Sequence, residues 1–235
     1  TPKNEKSHYV EKILRLPEIS QCFAPPDFDV KINKLPALKN KFITFGSLNK
    51  LTKVSDETIA LWSKVLLSIP NSKLLLKNKN LEDKKVIKNT LARFEKHNIN
   101  KNRLILQGES NTRKELLKVY NEIDIALDPF PFQGNTTTCE SIWMGVPVII
   151  LKGNRWLFHF GESINSCLNM HDWIAENQDA YVSKAIKFSS DLNRLSEIRM
   201  NLRDVALQSP VFDAPRLGAH FNLMFWDMWK KFNNQ

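Results

Sequence analysis

The chain has 235 residues, and its 42% hydrophobic and 10% aromatic content excludes a largely disordered protein. Lysine and arginine number 34 against 25 acidic residues, so the formal charge of +9 is compatible with nucleic acid, an acidic membrane surface or a phosphate-bearing ligand. The apolar run at residues 146–151 is far shorter than the ~20 residues that span a bilayer. We therefore expect no membrane segment and a cytoplasmic location.

The lysines are dispersed among asparagines and acids, as in residues 77–89, without the aromatic residues that stack on bases. We expect most of them to be solvated and expect no nucleic-acid partner, although a basic nucleic-acid binder stays open as an alternative. Cys22, Cys139 and Cys167 are odd in number and widely spaced, which favours reduced thiols over a disulfide framework or a zinc site. The chain starts with Thr1, without the apolar core of a signal peptide, and we expect it to be part of a longer protein.

The first 40 residues differ from the rest of the chain. Four prolines interrupt short apolar segments there: Pro17, Pro25, Pro26 and Pro36. We interpret residues 1–40 as a connecting segment from a missing neighbouring lobe, and residues 41–235 as one domain. The DFD motif at Asp27 and Asp29 matches a DxD metal-binding pattern, but its place in this irregular segment favours a solvated turn, and we expect no metal site.

From residue 41 onward, β-rich runs alternate with amphipathic helical patterns. Strands are predicted at residues 41–46, 72–77, 103–108, 123–128 and 147–151, and helices at residues 55–69, 82–98, 111–122 and after residue 136. The strands are almost continuously apolar, which is typical of a parallel sheet covered on both faces. Beyond Gly153 the pattern turns helical. The predicted fold class is α/β, a Rossmann-like parallel sheet with helices on both faces and a helical C-terminus.

Trp226 and Trp229 lie three residues apart in the last helical pattern. They are interpreted as core or lobe-packing aromatic residues. An exposed patch at this place would instead mark where a missing lobe docks.

The segment between the strand ending at Asp128 and the next helix predicts an anion site. We call it the threonine turn; it comprises Gly134, Asn135, Thr136, Thr137 and Thr138. Ligands of open parallel sheets bind at the carboxyl ends of the strands, and the unpaired N–H groups and dipole of a helix N-terminus favour a phosphate. Glu140, one turn further on, suits the hydroxyls of a ribose. The alternative is that Thr136 only caps the helix.

Three segments resemble one known family, the O-linked GlcNAc transferases and SPINDLY proteins. They are DIALDPFPFQGNTTTCESIWMGVPVIIL at residues 124–151, KFITFGSLNKLTKVSDETIALWSKVLLSIPNSKLLL at residues 41–76, and LRDVALQSPVFDAPRLGAHFNLMFWDMW at residues 202–229. The resemblance implies that residues 41–235 are the nucleotide-sugar-binding, C-terminal lobe of a two-lobed GT-B glycosyltransferase. It also implies inverting transfer from a nucleotide sugar to Ser or Thr of an acceptor protein, without a metal or other cofactor, and a missing N-terminal lobe with upstream TPR repeats. The isolated chain is expected to be inactive.

The resemblance assigns roles by position. Lys53 matches the lysine at the donor diphosphate and is the predicted catalytic residue, because an ammonium can stabilise the charge that builds on the leaving group. The predicted donor-binding residues are Lys50, Arg113, Gly134, Asn135, Thr136, Thr137, Thr138, Glu140 and His159. Among them, Thr136 and Thr137 match the phosphate-contacting pair, and Glu140 matches the acid that holds the ribose.

Some of these positions depart from the family pattern. Asn135 replaces the histidine of the GlcNAc transferases, where the SPINDLY branch has threonine. Leu116 stands where a histidine contacts the base, with Arg113 at a nearby lysine position, and His159 stands where an arginine is expected. These departures concern the base and the sugar and not the pyrophosphate site. The family resemblance makes a UDP-sugar, UDP-GlcNAc, the first expectation. A GDP-sugar, GDP-fucose, or a nucleotide-binding or interaction module without transfer activity are open alternatives.

Overall fold

The computed structural model describes residues 3–234, so residues 1, 2 and 235 of the predicted ranges lie outside the described residues. The described chain forms a six-stranded, fully parallel sheet with strand order β3-β2-β1-β4-β5-β6. The strands are β1 (Thr44–Ser47), β2 (Lys73–Lys77), β3 (Leu104–Gln107), β4 (Ile125–Leu127), β5 (Val148–Leu151) and β6 (Ile174–Ala175). The chain winds outward from β1 to β3 and then from β4 to β6. The order therefore reverses between β1 and β4, and the Rossmann-like prediction is confirmed.

The helices cover both faces of this sheet. They are α1 (Pro36–Asn40), α2 (Asp56–Ser68), α3 (Lys84–Glu95), α4 (Arg113–Lys118), α5 (Thr136–Trp143), α6 (Phe160–Cys167), α7 (Gln178–Ser190), α8 (Leu192–Leu207) and α9 (Ala214–Asn233). One core cluster contains Leu74 and Leu76 of β2 with side chains of α2, α3 and α7. The other contains Leu75 with side chains of α4, α5 and α6. Alternate residues of β2 thus point to opposite faces, as strand geometry requires.

The ends of the early elements follow local signals. Ser55 Oγ accepts a hydrogen bond from Thr58 N at 3.0 Å and caps α2, as its position before two acidic residues predicts. The strand predicted at residues 41–46 lies instead at Thr44–Ser47. Lys41 ends α1 in the left-handed conformation, with φ 62°, and cannot continue a strand.

Beyond Gly153 the described chain is mainly helical, as predicted, but it also contains a short strand that was not predicted. This strand, β6, pairs with β5, where Ile150 lies opposite Ile174 and Leu151 opposite Ala175. A two-residue strand gives no periodic signal, because alternation needs at least four residues to be recognised.

We call residues 3–35 the leader; this segment before α1 packs against the domain. Ile19, Phe23 and Val30 are buried in the second core cluster. The buried Arg199 of α8 holds the leader by donating hydrogen bonds to Asn33 O at 2.9 Å and Asn33 Oδ1 at 2.6 Å. These residues are part of the domain's core, while the role of residues 1–40 as a connection to another lobe stays a prediction.

Helix α9 has a different environment from α7 and α8. Trp226 and Trp229 are 56% and 58% exposed, so the interpretation that they belong to the core is wrong. No side chain of α9 is buried, although the helix carries an apolar stripe. Within residues 3–234, no helix is long and apolar enough to cross a membrane.

Candidate functional site

The candidate site lies in the crevice between the carboxyl ends of β1 and β4. Here Ser47 ends β1 and leads to Asn49, while Leu127 ends β4 and leads to Asp128. Because the strand order reverses between these two strands, the loops that follow them lead to α2 and α5 on opposite faces of the sheet. Such a crevice is the usual place for a ligand in an open parallel sheet.

Helix α5 presents its N-terminus to this crevice. Asn135 is its N-cap residue and makes no side-chain capping hydrogen bond. Thr138 N and Cys139 N donate to Asn135 O at 3.1 and 3.0 Å, so Thr136 and Thr137 keep N–H groups that have no acceptor within the helix. The alternative that Thr136 only caps the helix is therefore wrong, since Thr136 is the first helical residue and not the cap.

A buried carboxylate lies beneath the threonine turn. Asp128 is 2% exposed and accepts a hydrogen bond from Gly134 N, which lies 2.9 Å from Oδ1 and 3.0 Å from Oδ2. Burial raises the pKa of Asp128 to about 7, opposed by the Gly134 N–H and by the charge of Lys53. A Cβ on Gly134 would lie 2.6 Å from both Asp128 Oδ1 and Thr138 Oγ1, so this close approach requires glycine.

Asn49 connects this carboxylate to the first turn of α5. Its Nδ2 donates to Ser47 Oγ at 3.4 Å and to Asp128 Oδ1 at 3.5 Å, while its Oδ1 accepts the hydroxyl of Thr137 at 2.9 Å. When Asp128 is ionised, its oxygens only accept hydrogen bonds, and the amide nitrogen of Asn49 then faces it. The hydroxyl of the buried Tyr120 donates to Thr137 O at 3.0 Å and holds the same turn from the other side.

Lys53 lies across the crevice from α5 at the end of a short 3-10 helix, Leu51–Lys53. Its Nζ donates to Gln133 O at 2.8 Å and lies 3.8 Å from the centroid of the Phe132 ring. Partial burial lowers the pKa of Lys53, and the nearby Asp128 acts in the opposite direction. Lys50 is exposed, and its charge contributes to lowering the pKa of Lys53.

The side chain of Gln133 fixes the loop that faces Lys53. It is 1% exposed, its Nε2 donates to Leu151 O at 2.7 Å, and its Oε1 accepts hydrogen bonds from Gly161 N at 2.8 Å and Glu162 N at 3.4 Å. Gln133 therefore ties the loop to the end of β5 and to the start of α6. The backbone carbonyl that contacts Lys53 belongs to a firmly held residue.

A second pair of predicted residues meets beside the first turns of α4 and α5. Arg113 Nε lies 3.6 Å from Oε1 of Glu140, whose carboxyl is largely buried. Burial raises the pKa of Glu140, while the Arg113 charge acts against this shift. Leu116 is half-buried one turn along α4 from Arg113.

His159 lies apart from these contacts, between β5 and α6. It is 6% exposed, and its Nδ1 and Nε2 lie 2.6 Å from Glu162 Oε2 and 2.8 Å from Glu5 Oε1. Both ring nitrogens therefore face carboxylates of the protein. Its predicted contact with the donor stays a prediction.

Asn49, Tyr120, Phe132 and Gln133 belong to the site but were not among the predicted residues. Asn49 has a sequence signal, since it closely follows the strand predicted at residues 41–46. Asp27 and Asp29 are exposed, as expected for a solvated turn. Among the described residues, no group of three or more His, Cys, Asp or Glu side chains could hold a metal ion.

Comparison with known proteins agrees with this architecture. A probable UDP-N-acetylglucosamine–peptide N-acetylglucosaminyltransferase SPINDLY of Arabidopsis thaliana is 33% identical over 231 residues, 98% of this chain and 25% of the relative. The corresponding enzyme of Caenorhabditis elegans is 21% identical over 197 residues, 84% of this chain and 17% of the relative. The chain thus spans about a quarter or less of the length of these curated relatives.

Solved structures extend the comparison to the fold. An O-GlcNAc transferase variant of Thermobaculum terrenum superposes with a TM-score of 0.86 at 28% identity, over 98% of this chain and 43% of that one. The Anabaena protein HepE, in complex with UDP and glucose, has a TM-score of 0.55 at 12% identity over 82% of this chain and 52% of its own, and shows the fold alone. The fold is that of the C-terminal lobe of a GT-B glycosyltransferase. Residues 25–220 match the sequence profile of Glycosyl transferase family 41, and the chain belongs to this family.

Proposed function

We propose that this chain is the donor-binding lobe of an inverting, metal-independent protein O-glycosyltransferase. The proposed donor is UDP-GlcNAc, and the proposed acceptors are Ser and Thr hydroxyls of proteins. One observation carries the proposal: the Lys53 ammonium, 2.8 Å from Gln133 O, lies beside the N-terminus of α5, whose first N–H groups have no acceptor in the helix. A positive charge and free donors thus converge on one crevice, as a diphosphate requires.

These groups suit the chemistry of glycosyl transfer. The acceptor hydroxyl oxygen attacks the anomeric carbon from the face opposite the diphosphate, and the bond to the diphosphate oxygen breaks with its electron pair leaving on that oxygen. The hydroxyl proton passes to a base. Lys53 and the N–H groups of Thr136 and Thr137 stabilise the negative charge that develops on the leaving group, so this role does not require a metal ion.

Thr137 and Glu140 have distinct parts in donor binding. The Thr137 hydroxyl donates to Asn49 Oδ1, and rotation about its C–O bond would direct the same proton to a phosphate oxygen. The charge of Arg113, 3.6 Å from Glu140, favours the ionised carboxylate despite its burial. An ionised Glu140 can accept hydrogen bonds from two ribose hydroxyls.

Acceptor binding and the base are assigned to other parts of a longer protein. The relatives are about four times as long as this chain, which supports a second lobe and upstream TPR repeats. The isolated chain would then bind the donor without transferring the sugar. A cytoplasmic location also stays a prediction.

Calorimetry with UDP, GDP and their sugars tests the proposal. We expect micromolar UDP binding in the wild type. Lys53→Ala and Thr137→Ala should each weaken it about tenfold or more, because each removes one charged or polar contact with the phosphates. Lys73→Ala is the matched control, because Lys73 begins β2 at the opposite end of the sheet. Unchanged UDP binding in both site variants contradicts the proposal.

Three alternatives predict different outcomes. Tighter binding of GDP and GDP-fucose would favour an O-fucosyltransferase. Asn135 and Leu116 are consistent with this alternative, because each stands where the GlcNAc transferases have a histidine. Nucleotide binding by the full-length protein without sugar transfer would indicate a binding module. Binding of oligonucleotides that weakens with salt, with no nucleotide binding, would indicate a nucleic-acid binder.

A further inference from the structure

We propose that Phe132 is a positioning residue that, together with the backbone carbonyl of Gln133, holds the Lys53 ammonium ready for the donor diphosphate. The identity of the ligand rests on the proposed function. The contact itself rests on the geometry of the loop between β4 and α5.

The contact has two components. Lys53 Nζ lies 3.8 Å from the centroid of the Phe132 ring and donates to Gln133 O at 2.8 Å. The face of an aromatic ring is electronegative and attracts a cation, and an ammonium has three N–H groups. The carbonyl takes one N–H and the ring faces another, so one N–H stays available for a ligand.

The loop that carries Phe132 is held at three points. Phe130 O accepts hydrogen bonds from Thr58 Oγ1 at 2.7 Å and Ser55 Oγ at 3.2 Å, both at the start of α2. The Gln133 side chain is fixed by Leu151 O, and Gly134 N by Asp128. Phe132 itself is 39% exposed, and its ring lies against the Lys53 ammonium. The hydrogen bonds of Phe130 and Gly134 on either side hold its backbone in place.

Neither contact partner of the Lys53 ammonium, the Gln133 carbonyl or the Phe132 ring, carries a negative charge. A carboxylate in direct contact with Lys53 would neutralise the charge that the diphosphate needs. A carbonyl and an aromatic ring fix the ammonium and leave its net charge intact. Asp128 attracts Lys53 from a distance, but its oxygens accept the hydrogen bond of Gly134 N. The result is a preorganised positive charge at the crevice that no carboxylate contacts directly.

The contact can be measured without a ligand. Reductive methylation places two methyl groups on each lysine nitrogen and retains its charge, and the ¹³C resonance of Lys53 is assigned by its absence in Lys53→Arg. We expect an upfield ring-current shift for Lys53 that disappears in Phe132→Leu and persists in Phe132→Tyr. A second lysine over a ring, Lys73 at 4.7 Å from Phe42, supplies the control, because Phe42→Leu should alter only the Lys73 resonance.

The effect on the donor is measured by calorimetry with UDP on unmodified protein. Phe132→Leu should weaken UDP binding by roughly 2- to 10-fold, while Phe132→Tyr should restore it. In the Lys53→Ala background, Phe132→Leu should have no further effect, which separates positioning of Lys53 from a general change in the loop. Phe42→Leu should leave UDP binding unchanged.

The outcomes separate this inference from the proposed function. An unshifted Lys53 resonance in the wild type overturns the inference, and so does a Phe132→Leu effect of equal size with and without Lys53. If the resonance is shifted but neither UDP nor GDP binds, the contact between Lys53 and Phe132 is established. The proposed function is then overturned, and so is the role of the contact in diphosphate binding.

Discussion

Two buried aspartates at opposite ends of β4 have different surroundings. Asp124 precedes the strand and Asp128 follows it, and they are 0% and 2% exposed. Asp124 accepts hydrogen bonds from Ala37 N and Thr44 N, each at 2.8 Å, and thereby fixes the starts of α1 and β1. Asp128 accepts a hydrogen bond from Gly134 N and lies near Lys53. Burial raises the pKa of Asp124 to about 6 and that of Asp128 to about 7.

The difference follows from the direction of the strands. In a parallel sheet every carboxyl end is followed by a loop that leads to a helix N-terminus, whereas the amino ends receive chain from helix C-termini. Asp128 therefore lies next to the N-terminus of α5 and near Lys53, while both oxygens of Asp124 are taken by the N–H groups of Ala37 and Thr44, near the charge of Arg199. The same residue type, equally buried, is structural at one end of a strand and borders a ligand site at the other.

Removal of Asp124 should have the largest effect on stability. Asp124→Ala leaves the buried N–H groups of Ala37 and Thr44 without an acceptor, so we expect the free energy of unfolding to fall by about 2–4 kcal/mol. UDP affinity of the folded protein should not change. Denaturant unfolding and calorimetry measure the two quantities.

The control for this change is another aspartate. Asp56 is largely exposed and pairs with Arg93 at 2.7 Å, so Asp56→Ala should destabilise the protein far less than Asp124→Ala. An equal loss of stability in the two variants, or a loss of UDP affinity confined to Asp124→Ala, would contradict the structural role assigned to Asp124.

A methyl group on Gly134 tests the opposite end of the strand. Its Cβ would lie 2.6 Å from Asp128 Oδ1 and 2.7 Å from Thr137 Oγ1, so the threonine turn has to shift. We expect Gly134→Ala to destabilise the protein by about 1–3 kcal/mol and to weaken UDP binding about tenfold or more. Unlike Asp124→Ala, this variant should lose both properties, as unfolding and calorimetry would show.

Gly218 is the matched control for that substitution. It lies in α9, and an added Cβ has no heavy atom within 4 Å. Gly218→Ala should stabilise the protein by about 0.5–1 kcal/mol, because glycine is a poor helix former, and should leave UDP binding unchanged. If both glycine variants retain UDP binding, the close packing of the threonine turn on Asp128 is not needed for the ligand.

Much of the fold was accessible from the sequence. The apolar strands and amphipathic helices between residues 41 and 151 have strong local signals, and their alternation predicts a parallel sheet. The errors lie where tertiary contacts decide. The strand β6 is only two residues long, and the apolar stripe of α9 is typical of a buried helix although the structure leaves it exposed.

Part of the site could be predicted from the sequence. The threonine turn has a local pattern, and the resemblance to a known family pointed to Lys53 and Glu140. The contacts of Gln133 and Phe132 have no local signal, because they depend on how the loop after β4 lies against β5 and the 3-10 helix of Lys53. Likewise, no spacing in the sequence relates His159 to Glu5, which is 154 residues away along the chain.

The smallest predicted effect concerns protons and distinguishes the two aspartates most directly. Burial raises the pKa of Asp128 to about 7, so the free protein holds this proton for part of the time near neutral pH. A diphosphate in the crevice adds negative charge, which disfavours the ionised carboxyl and raises this pKa further. The bound state then holds more protons, and UDP-GlcNAc affinity should fall as pH rises through about 7. Asp124, at the other end of β4, should take no part.

Calorimetry in buffers of different ionisation enthalpy measures this uptake. UDP-GlcNAc is the suitable ligand, because its phosphates are diesters and lack the second phosphate ionisation near pH 6. We expect uptake of a fraction of a proton in the wild type and in Asp124→Asn, and none in Asp128→Asn. Net proton release by the wild type, or equal uptake in both variants, would mean that Asp128 does not sense the diphosphate. Only the aspartate at the carboxyl end of the strand can respond to a ligand bound there, so this result would also place the diphosphate elsewhere.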